Sequence, residues 1–75
     1  MVTGNQILAA RILAGADQAT IAKAAGISRQ SLSRMENSKA RPVISRKSTQ
    51  AAVLAALGSH GIMLVPNGVV LAALP

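Results

Sequence analysis

The stretch that decides the fold covers residues 18–37, with the sequence QATIAKAAGISRQSLSRMEN. It begins just after Asp17, a favourable N-cap whose charge suits a helix N-terminus. Gly26 stands where a helix can end in a left-handed residue, and Ser28 is placed to cap the helix that follows. We therefore predict two short helices joined by a tight turn, with the bounds 18–25 and 29–37.

The second of these helices has two chemically distinct faces. Leu32 and Met35 point to one side, which we assign to the core, while polar side chains occupy an arc of roughly 140° on the other. Arg can pair with guanine and Gln with adenine in the major groove of DNA, where the first residues of a recognition helix lie. The alternative is an ordinary amphipathic surface helix. The polar face comprises Arg29, Gln30, Ser33, Arg34 and Asn37.

The charge of the chain is strongly positive and unevenly distributed. Eight Lys and Arg residues oppose two acidic residues, which gives a net charge of +6. A basic stretch suits nucleic acid or an anionic membrane surface, although a solvated basic face is the plain alternative. Phe, Tyr and Trp are absent, which excludes aromatic stacking on single strands. The central cations are Arg29, Arg34, Lys39, Arg41, Arg46 and Lys47.

The residues that carry most enzyme and metal chemistry are scarce. The chain has no cysteine and one histidine, His60, which excludes disulfides, thiolate sites and multi-histidine metal sites. Asp17 and Glu36, the two acidic residues, are both predicted to have structural roles. No set of nucleophile and base remains. We expect no enzyme activity, no cofactor or metal, and no small-molecule ligand.

Hydrophobic residues make up 51% of the chain, so a membrane location needs testing. The longest apolar stretches are broken at residues 58–61 and 66–68, and neither side reaches the ~20 residues that a spanning helix needs. The N-terminus lacks the basic start and apolar run of a signal peptide. We expect a soluble, cytoplasmic protein of one domain.

Elements flank the central stretch on both sides. Thr3 and Gln6 have the spacing of a capping box, which predicts a first helix ending at Ala14. A fourth helix is predicted to start near Arg46 or Ser48 and to end before Gly61. Short aliphatic runs on both sides of the turn 66–68 then predict a β-hairpin, with strands at 62–65 and 69–72.

One charged residue of the first helix lies in an unfavourable place. Ile7, Leu8 and Ile12 are predicted to form its apolar, core-facing stripe, and Arg11 falls inside that stripe. An arginine there must be paired or must extend its charge to solvent. We therefore expect a carboxylate partner for Arg11.

The central stretch resembles the helix-turn-helix of the phage Cro and repressor family, also called the xenobiotic-response-element family. The resemblance covers about residues 4–57, and the run Gln-x-x-x-Ala-x-x-Ala-Gly-Ile-Ser from Gln18 to Ser28 carries it. It implies a mainly α, lambda-repressor-like domain of four to five helices, here with a short C-terminal β-hairpin. It also implies a dimeric transcriptional regulator, by preference a repressor or autoregulator, that binds a near-palindromic double-stranded DNA operator.

The resemblance assigns roles to individual residues. Arg29, Gln30 and Arg34 match base-reading positions, and Ser28 matches a phosphate or base contact at the start of the recognition helix. The family also pairs an arginine at position 11 with a glutamate at the end of that helix, so we predict an Arg11–Glu36 ion pair. The complete predicted DNA-binding set is Gln18, Ser28, Arg29, Gln30, Ser31, Ser33, Arg34, Asn37, Lys39 and Arg41, in which Gln18, Asn37, Lys39 and Arg41 match phosphate contacts.

The C-terminal hairpin is apolar on both faces, and such strands need cover on both sides. One side can pack on the fourth helix, and an uncovered second side would be an apolar patch. We therefore expect a homodimer, with residues 1–61 as the DNA-binding part and 62–75 as a dimerisation element of the same domain. The alternative is that the hairpin completes the core of its own chain. The predicted interface comprises Leu54, Leu57, Ile62, Leu64, Val69, Val70 and Leu71.

Two other functions fit parts of the sequence. An antitoxin or antiactivator would use the apolar C-terminal segment to hold a partner protein, and it could keep the same helix-turn-helix for autoregulation. A basic amphipathic peptide on a membrane surface is a third possibility. The glycines and helix caps argue against this third interpretation.

Overall fold

The computed structural model describes residues 2–71, which form four helices and a two-stranded antiparallel sheet. The mainly helical fold with a C-terminal hairpin is therefore confirmed. The first helix and the two helices of the central stretch end within one residue of their predicted bounds. In chain order, the elements are α1 Gly4–Ala14, α2 Gln18–Ala25, α3 Arg29–Glu36, α4 Lys47–Gly58, β1 Ile62–Val65 and β2 Gly68–Leu71.

Local hydrogen bonds explain where the helices begin and end. Thr3 and Gln6 form the predicted capping box, in which each side chain bonds to the backbone of the other residue. The carboxylate of Asp17 accepts from the Thr20 amide at 2.8 Å and caps α2. At the other end of α2, Gly26 takes a φ of 71°, and its amide reaches back to the carbonyls of the last turn. A left-handed residue at this point turns the chain directly into α3.

A small aliphatic core holds the helices together. Every helix contributes to it, and α2 packs against both α3 and α4, while α1 packs against α3 and the hairpin. Each fully buried Ile, Leu or Val side chain stabilises the fold by about 1.5–3 kcal/mol relative to exposure. The largest fully buried side chains are Ile7, Ile21, Leu32, Val53 and Leu57.

The predicted stripe of α1 is wrong at Ile12, whose exposed fraction is 65%. The buried side of α1 instead contains Gly4, Ile7 and Ala10, because α3 and the hairpin approach the helix over its small residues. The large apolar side chains alone place the centre of the stripe about 100° around the helix axis from the buried side. Arg11 is half-buried and falls between Ile7 and Gly4 on this side of the helix.

The close approach of α1 to α3 depends on Gly4. A Cβ atom at this position would lie 2.5 Å from the carbonyl oxygens of both Met35 and Glu36. Backbone oxygens at the end of α3 cannot move aside as a flexible side chain could. The hydrogen atom of Gly4 therefore allows the first turn of α1 to contact the end of α3.

The hairpin folds back onto α1 and carries an additional clamp. Its strands pair Ile62 with Leu71 and Met63 with Val70 in register, across a turn in which Asn67 has a φ of 61°. The side chain of Gln6 donates to the carbonyl oxygens of Val65 at 2.7 Å and Gly68 at 3.2 Å. These bonds fix the hairpin to α1. The second strand was predicted at 69–72; it begins one residue earlier, and Ala72 lies outside the described residues.

The predicted dimer interface needs correction at two residues. Leu57 is 0% exposed and Ile62 is 3% exposed within the single chain, because both side chains complete its own core. They are not accessible to a second protein. Leu54, Leu64 and Val69 are half-buried, whereas Val70 and Leu71 are exposed.

The hydrophobic content also allows a check for membrane-spanning helices. Among the helices formed by residues 2–71, none has the length and hydropathy needed to cross a membrane.

We predict that Gly4→Ala lowers the free energy of unfolding by at least about 1–3 kcal/mol, because the added methyl group overlaps backbone oxygens and forces the helices apart. Thermal denaturation followed by circular dichroism measures the change. Gly58→Ala is the matched control, since a Cβ atom there meets no atom within 4 Å. It should leave the stability unchanged or raise it by up to about 1 kcal/mol. Equal melting temperatures for Gly4→Ala and the wild type would contradict this account of the contact.

Candidate nucleic-acid interface

The N-terminus of α3 is held by hydroxyl groups. The Ser28 hydroxyl accepts from the Ser31 amide at 3.0 Å and donates to the Ser31 hydroxyl oxygen at 2.9 Å. These bonds fix the direction in which the following side chains leave the helix. Arg29 and Gln30 come directly after the cap and are exposed.

The predicted base-reading residues share one groove. The groove has a volume of about 240 Å³ and lies between the start of α2 and the exposed face of α3. Two guanidinium groups, three amide side chains and a hydroxyl line it, so it offers both hydrogen-bond donors and acceptors. The structure thus brings together six of the ten predicted DNA-binding residues, namely Gln18, Arg29, Gln30, Ser33, Arg34 and Asn37.

A bidentate ion pair joins the helices that form this groove. Arg11 donates to Glu36 through Nε at 2.8 Å and through a terminal nitrogen at 3.0 Å. Its other terminal nitrogen donates to the carbonyl oxygen of Ala16 at 3.2 Å. The side chain of Glu36 is 5% exposed, and its hydrogen bonds raise the pKa of Arg11 above the ordinary value. The predicted pair is present and joins α1, the α1–α2 loop and the end of α3.

Gln18 adds a second contact to this pair. Its Nε2 donates to Oε1 of Glu36 at 3.0 Å. A carboxylate can only accept hydrogen bonds, so the contact sets the orientation of the amide and commits one of its two N–H groups. The other N–H group and the carbonyl oxygen remain for the groove. Gln18 was predicted as a phosphate contact; the structure gives it a role in the protein framework as well.

Lys39 and Arg41 lie on a separate part of the surface, in the loop after α3. This loop is held against the N-terminus of α1, because the Asn5 amide donates to the Lys39 carbonyl oxygen at 2.9 Å. Further along, the Val43 amide donates to Val2 at 2.8 Å. Lys39 itself has a left-handed φ of 57°. These backbone bonds hold the exposed Lys39 and Arg41 in fixed places beside the groove, and Asn37 borders both regions.

A second depression on the other side of Arg34 contains residues that the sequence-based set left out. It has a volume of about 580 Å³ and is lined by residues of α3, the following loop and the start of α4. Arg46 lies on its rim and precedes α4 without making a side-chain cap bond. The basic stretch indicated Arg46, but no motif assigned it a contact. Ile44, also on the rim, is 98% exposed and had no sequence signal.

The electrostatics of the surface follow from the use of the two carboxylates. Glu36 is neutralised by Arg11, and Asp17 caps α2, where the hydrogen bond from the Thr20 amide lowers the pKa of Asp17. Within residues 2–71, the exposed cations around the reading groove form no salt bridge, although Asp17 lines a shallow depression together with Arg29. Within residues 2–71, no group of three or more His, Cys, Asp or Glu side chains could hold a metal ion.

We predict that Arg11→Ala lowers the free energy of unfolding by about 3–5 kcal/mol, because it leaves the carboxylate of Glu36 buried without its cation. Urea denaturation monitored by circular dichroism gives the difference. Arg46→Ala is the control for loss of an exposed cation, and it should change the stability by less than about 0.5 kcal/mol. An Arg11→Ala protein as stable as the Arg46→Ala protein would show that the ion pair contributes little.

Comparison with known proteins identifies the family. No curated protein and no solved structure matches the chain significantly. A family model described as a helix-turn-helix domain matches residues 4–64, which include all four helices and most of β1. The cap, turn and exposed α3 face are the parts by which such domains bind DNA. The chain therefore belongs to the helix-turn-helix domain family of DNA-binding proteins.

Proposed function

We propose that this protein is a sequence-specific transcriptional regulator of the Cro and repressor type that binds double-stranded DNA as a dimer. The observation that carries the proposal is the exposed polar face of α3, which borders one groove that Gln18 connects to the Arg11–Glu36 pair. A rigid helix with exposed donors and acceptors on one side suits insertion into a major groove. Repression or autoregulation is the preferred outcome of binding, on the basis of the sequence resemblance.

The groove residues divide into two roles by their chemistry. Arg29, Gln30 and Arg34 have long side chains that can make paired hydrogen bonds with guanine or adenine, so we assign them to base reading. Ser33 and Asn37 have shorter side chains and supplement these contacts, as does Ser31, which lies outside the groove in the depression on the other side of Arg34. Side chains at the first turn of α3 enter the groove most deeply in this mode of binding.

Phosphate contacts flank the base-reading face on both sides. Lys39 and Arg41 extend from the anchored loop, and Gln18 keeps one free N–H group at the start of α2. Ser28 uses its hydroxyl as a cap, so its contact with DNA would come from the backbone amides at the helix start. Contacts of this kind set the affinity and the register on the duplex, whereas base contacts set the sequence preference.

A two-fold dimer completes the proposal. Two copies of α3 placed about 34 Å apart would enter successive major grooves on one face of the duplex and would favour a near-palindromic site. We assign residues 1–61 to DNA binding and 62–75 to dimerisation within the same domain.

The experiment is selection of a preferred duplex from a random library, followed by fluorescence anisotropy with that duplex and with each single-base-pair variant. Arg29→Ala should weaken binding to the preferred duplex by about 1–3 kcal/mol and remove the preference at one base-pair position in each half-site. Lys39→Ala should weaken binding to all duplexes about equally and should lower the salt slope by about one.

Lys23→Ala serves as the control, because Lys23 is an exposed cation of α2 that borders neither the reading groove nor the surface around Lys39 and Arg41. It should retain the wild-type base preference and nearly the wild-type affinity. A wild-type protein that selects no sequence would refute the proposed function. If Arg29→Ala and Gln30→Ala both keep wild-type affinity and preference, the assignment of α3 as the reading helix is wrong.

A further inference from the structure

Ile44, in the loop between α3 and α4, is the most exposed large apolar side chain within residues 2–71, at 98%. Single exposed aliphatic residues are common on protein surfaces, so the exposed fraction alone assigns Ile44 no role. Two features of its surroundings do point to a role. The backbone on both sides of Ile44 is held by hydrogen bonds, and exposed cations lie on both sides of its side chain.

The loop presents Ile44 on a fixed backbone. The preceding residue, Val43, is buried in the core, and its amide donates to the carbonyl oxygen of Val2 at 2.8 Å. The side chain of Gln50 donates to the carbonyl oxygens of Val43 at 3.4 Å and Ser45 at 3.5 Å. Because the residues before and after Ile44 are both bound, its side chain cannot fold back onto the core unless these bonds break.

Ile44 also separates two basic depressions, because it lines both of them. The first, which we call the Arg46 depression, has a volume of about 580 Å³ and is also lined by Arg34. The second, which we call the Arg41 depression, has a volume of about 570 Å³ and is also lined by Lys39. Within residues 2–71, none of these four cations forms a salt bridge. Each depression therefore presents uncompensated positive charge on one side of an aliphatic side chain.

This order of charged and apolar surface matches one strand of DNA. Along a strand, anionic phosphates alternate with deoxyribose rings, whose carbon atoms are apolar. Each basic depression can take a phosphate, and the aliphatic side chain between the depressions can pack on the sugar between those phosphates. The Arg46 depression also includes Ser31 and Arg34 of α3, so it lies beside the helix that we assign to the major groove. A strand that borders that groove passes along such a side of the helix.

We propose that Ile44 packs against a deoxyribose of duplex DNA, while the two phosphates next to that sugar occupy the Arg41 and Arg46 depressions. Arg41 and Arg46 donate to these phosphates, and Ile44 excludes water between them, which strengthens both ionic contacts. Because every nucleotide has the same sugar, this contact sets the affinity and the register on the duplex and leaves the base preference unchanged. The inference rests on the proposed function in that α3 lies in the adjacent major groove.

The first test uses fluorescence anisotropy with a duplex that contains one half-site, so that dimerisation plays no part. Ile44→Ala should weaken binding about 5–10-fold, because most of an apolar side chain loses its contact with the sugar. The loss should be equal for all single-base-pair variants of the duplex, and the salt slope should stay unchanged because no charge is removed. Arg46→Ala, in contrast, should lower the salt slope by about one.

Ile12→Ala is the matched control. It removes the same atoms from another exposed isoleucine, which is 65% exposed and lines neither depression. This variant should bind DNA like the wild type. Thermal denaturation of both variants checks that the fold is retained.

Three results would overturn the proposed contact. Wild-type binding by Ile44→Ala would show that Ile44 does not touch DNA. A loss confined to one base-pair position would show that Ile44 contacts a base and not the sugar. A change of mass in sedimentation equilibrium with unchanged half-site binding would show that Ile44 contacts a second copy of the chain.

The second test locates the two phosphates. Methylphosphonate groups, which are neutral, replace the phosphates of the half-site duplex one at a time. One replacement should cost affinity in the wild type and have no further effect on Arg46→Ala, because that variant has already lost the cation concerned. Another should behave in the same way with Arg41→Ala. The two positions should be successive phosphates of one strand. Positions on different strands, or separated by more than one sugar, would overturn the proposal.

These measurements separate the inference from the proposed function. If the wild type selects a preferred duplex and Ile44→Ala binds it equally well, the sugar contact is wrong and the proposed function stands. If the wild type binds all duplexes alike and Ile44→Ala weakens that binding uniformly, the contact stands and sequence-specific regulation is wrong. A wild type that binds no duplex overturns both.

Discussion

The bidentate bond between Arg11 and Glu36 is the constraint on which the rest of the structure depends. It ties the last turn of α1 to the last turn of α3, and Gln18 extends the same network to the first residue of α2. Three helices thus take their relative positions from one buried carboxylate. The side chains that face the groove stand on a framework fixed by directional bonds, which the aliphatic core supports but cannot orient alone.

The use of charge follows from this constraint. The chain contains only two acidic residues, and both serve the framework, one inside the ion pair and one as a helix cap. Among the described residues, the cations of α3 form no salt bridge with either carboxylate. A protein that makes few favourable contacts with bases still attracts a polyanion through such a surface. Residues 48–75 contain no Lys, Arg, Asp or Glu, so the C-terminal segment adds no such side-chain charge to this surface.

Local chemistry explains which parts of the fold could be predicted from the sequence. The caps at Asp17 and Ser28 and the turn at Gly26 act within a few residues, so the bounds of α2 and the start of α3 could be derived. The buried side of α1 depends on how closely α3 approaches Gly4, which no local pattern records. The same holds for the inward position of Leu57 and for the bonds of Gln6, because each depends on residues distant in the sequence. In the candidate site, the reading face followed from helical spacing, whereas the framework contact of Gln18 and the rim position of Ile44 required the structure.

The bonds from Gln6 to the hairpin have a consequence for the order in which the chain can fold. They join residues separated by 59 and 62 positions, so they close a loop that includes every helix after α1 and the first strand of the hairpin. Closure of so long a loop is entropically costly until the intervening helices have packed. On a ribosome, α1 therefore waits for its last partners until nearly all of residues 1–68 have been synthesised. An incomplete chain cannot form the contact between α1 and the hairpin. Formation of this contact therefore follows the packing of the helices.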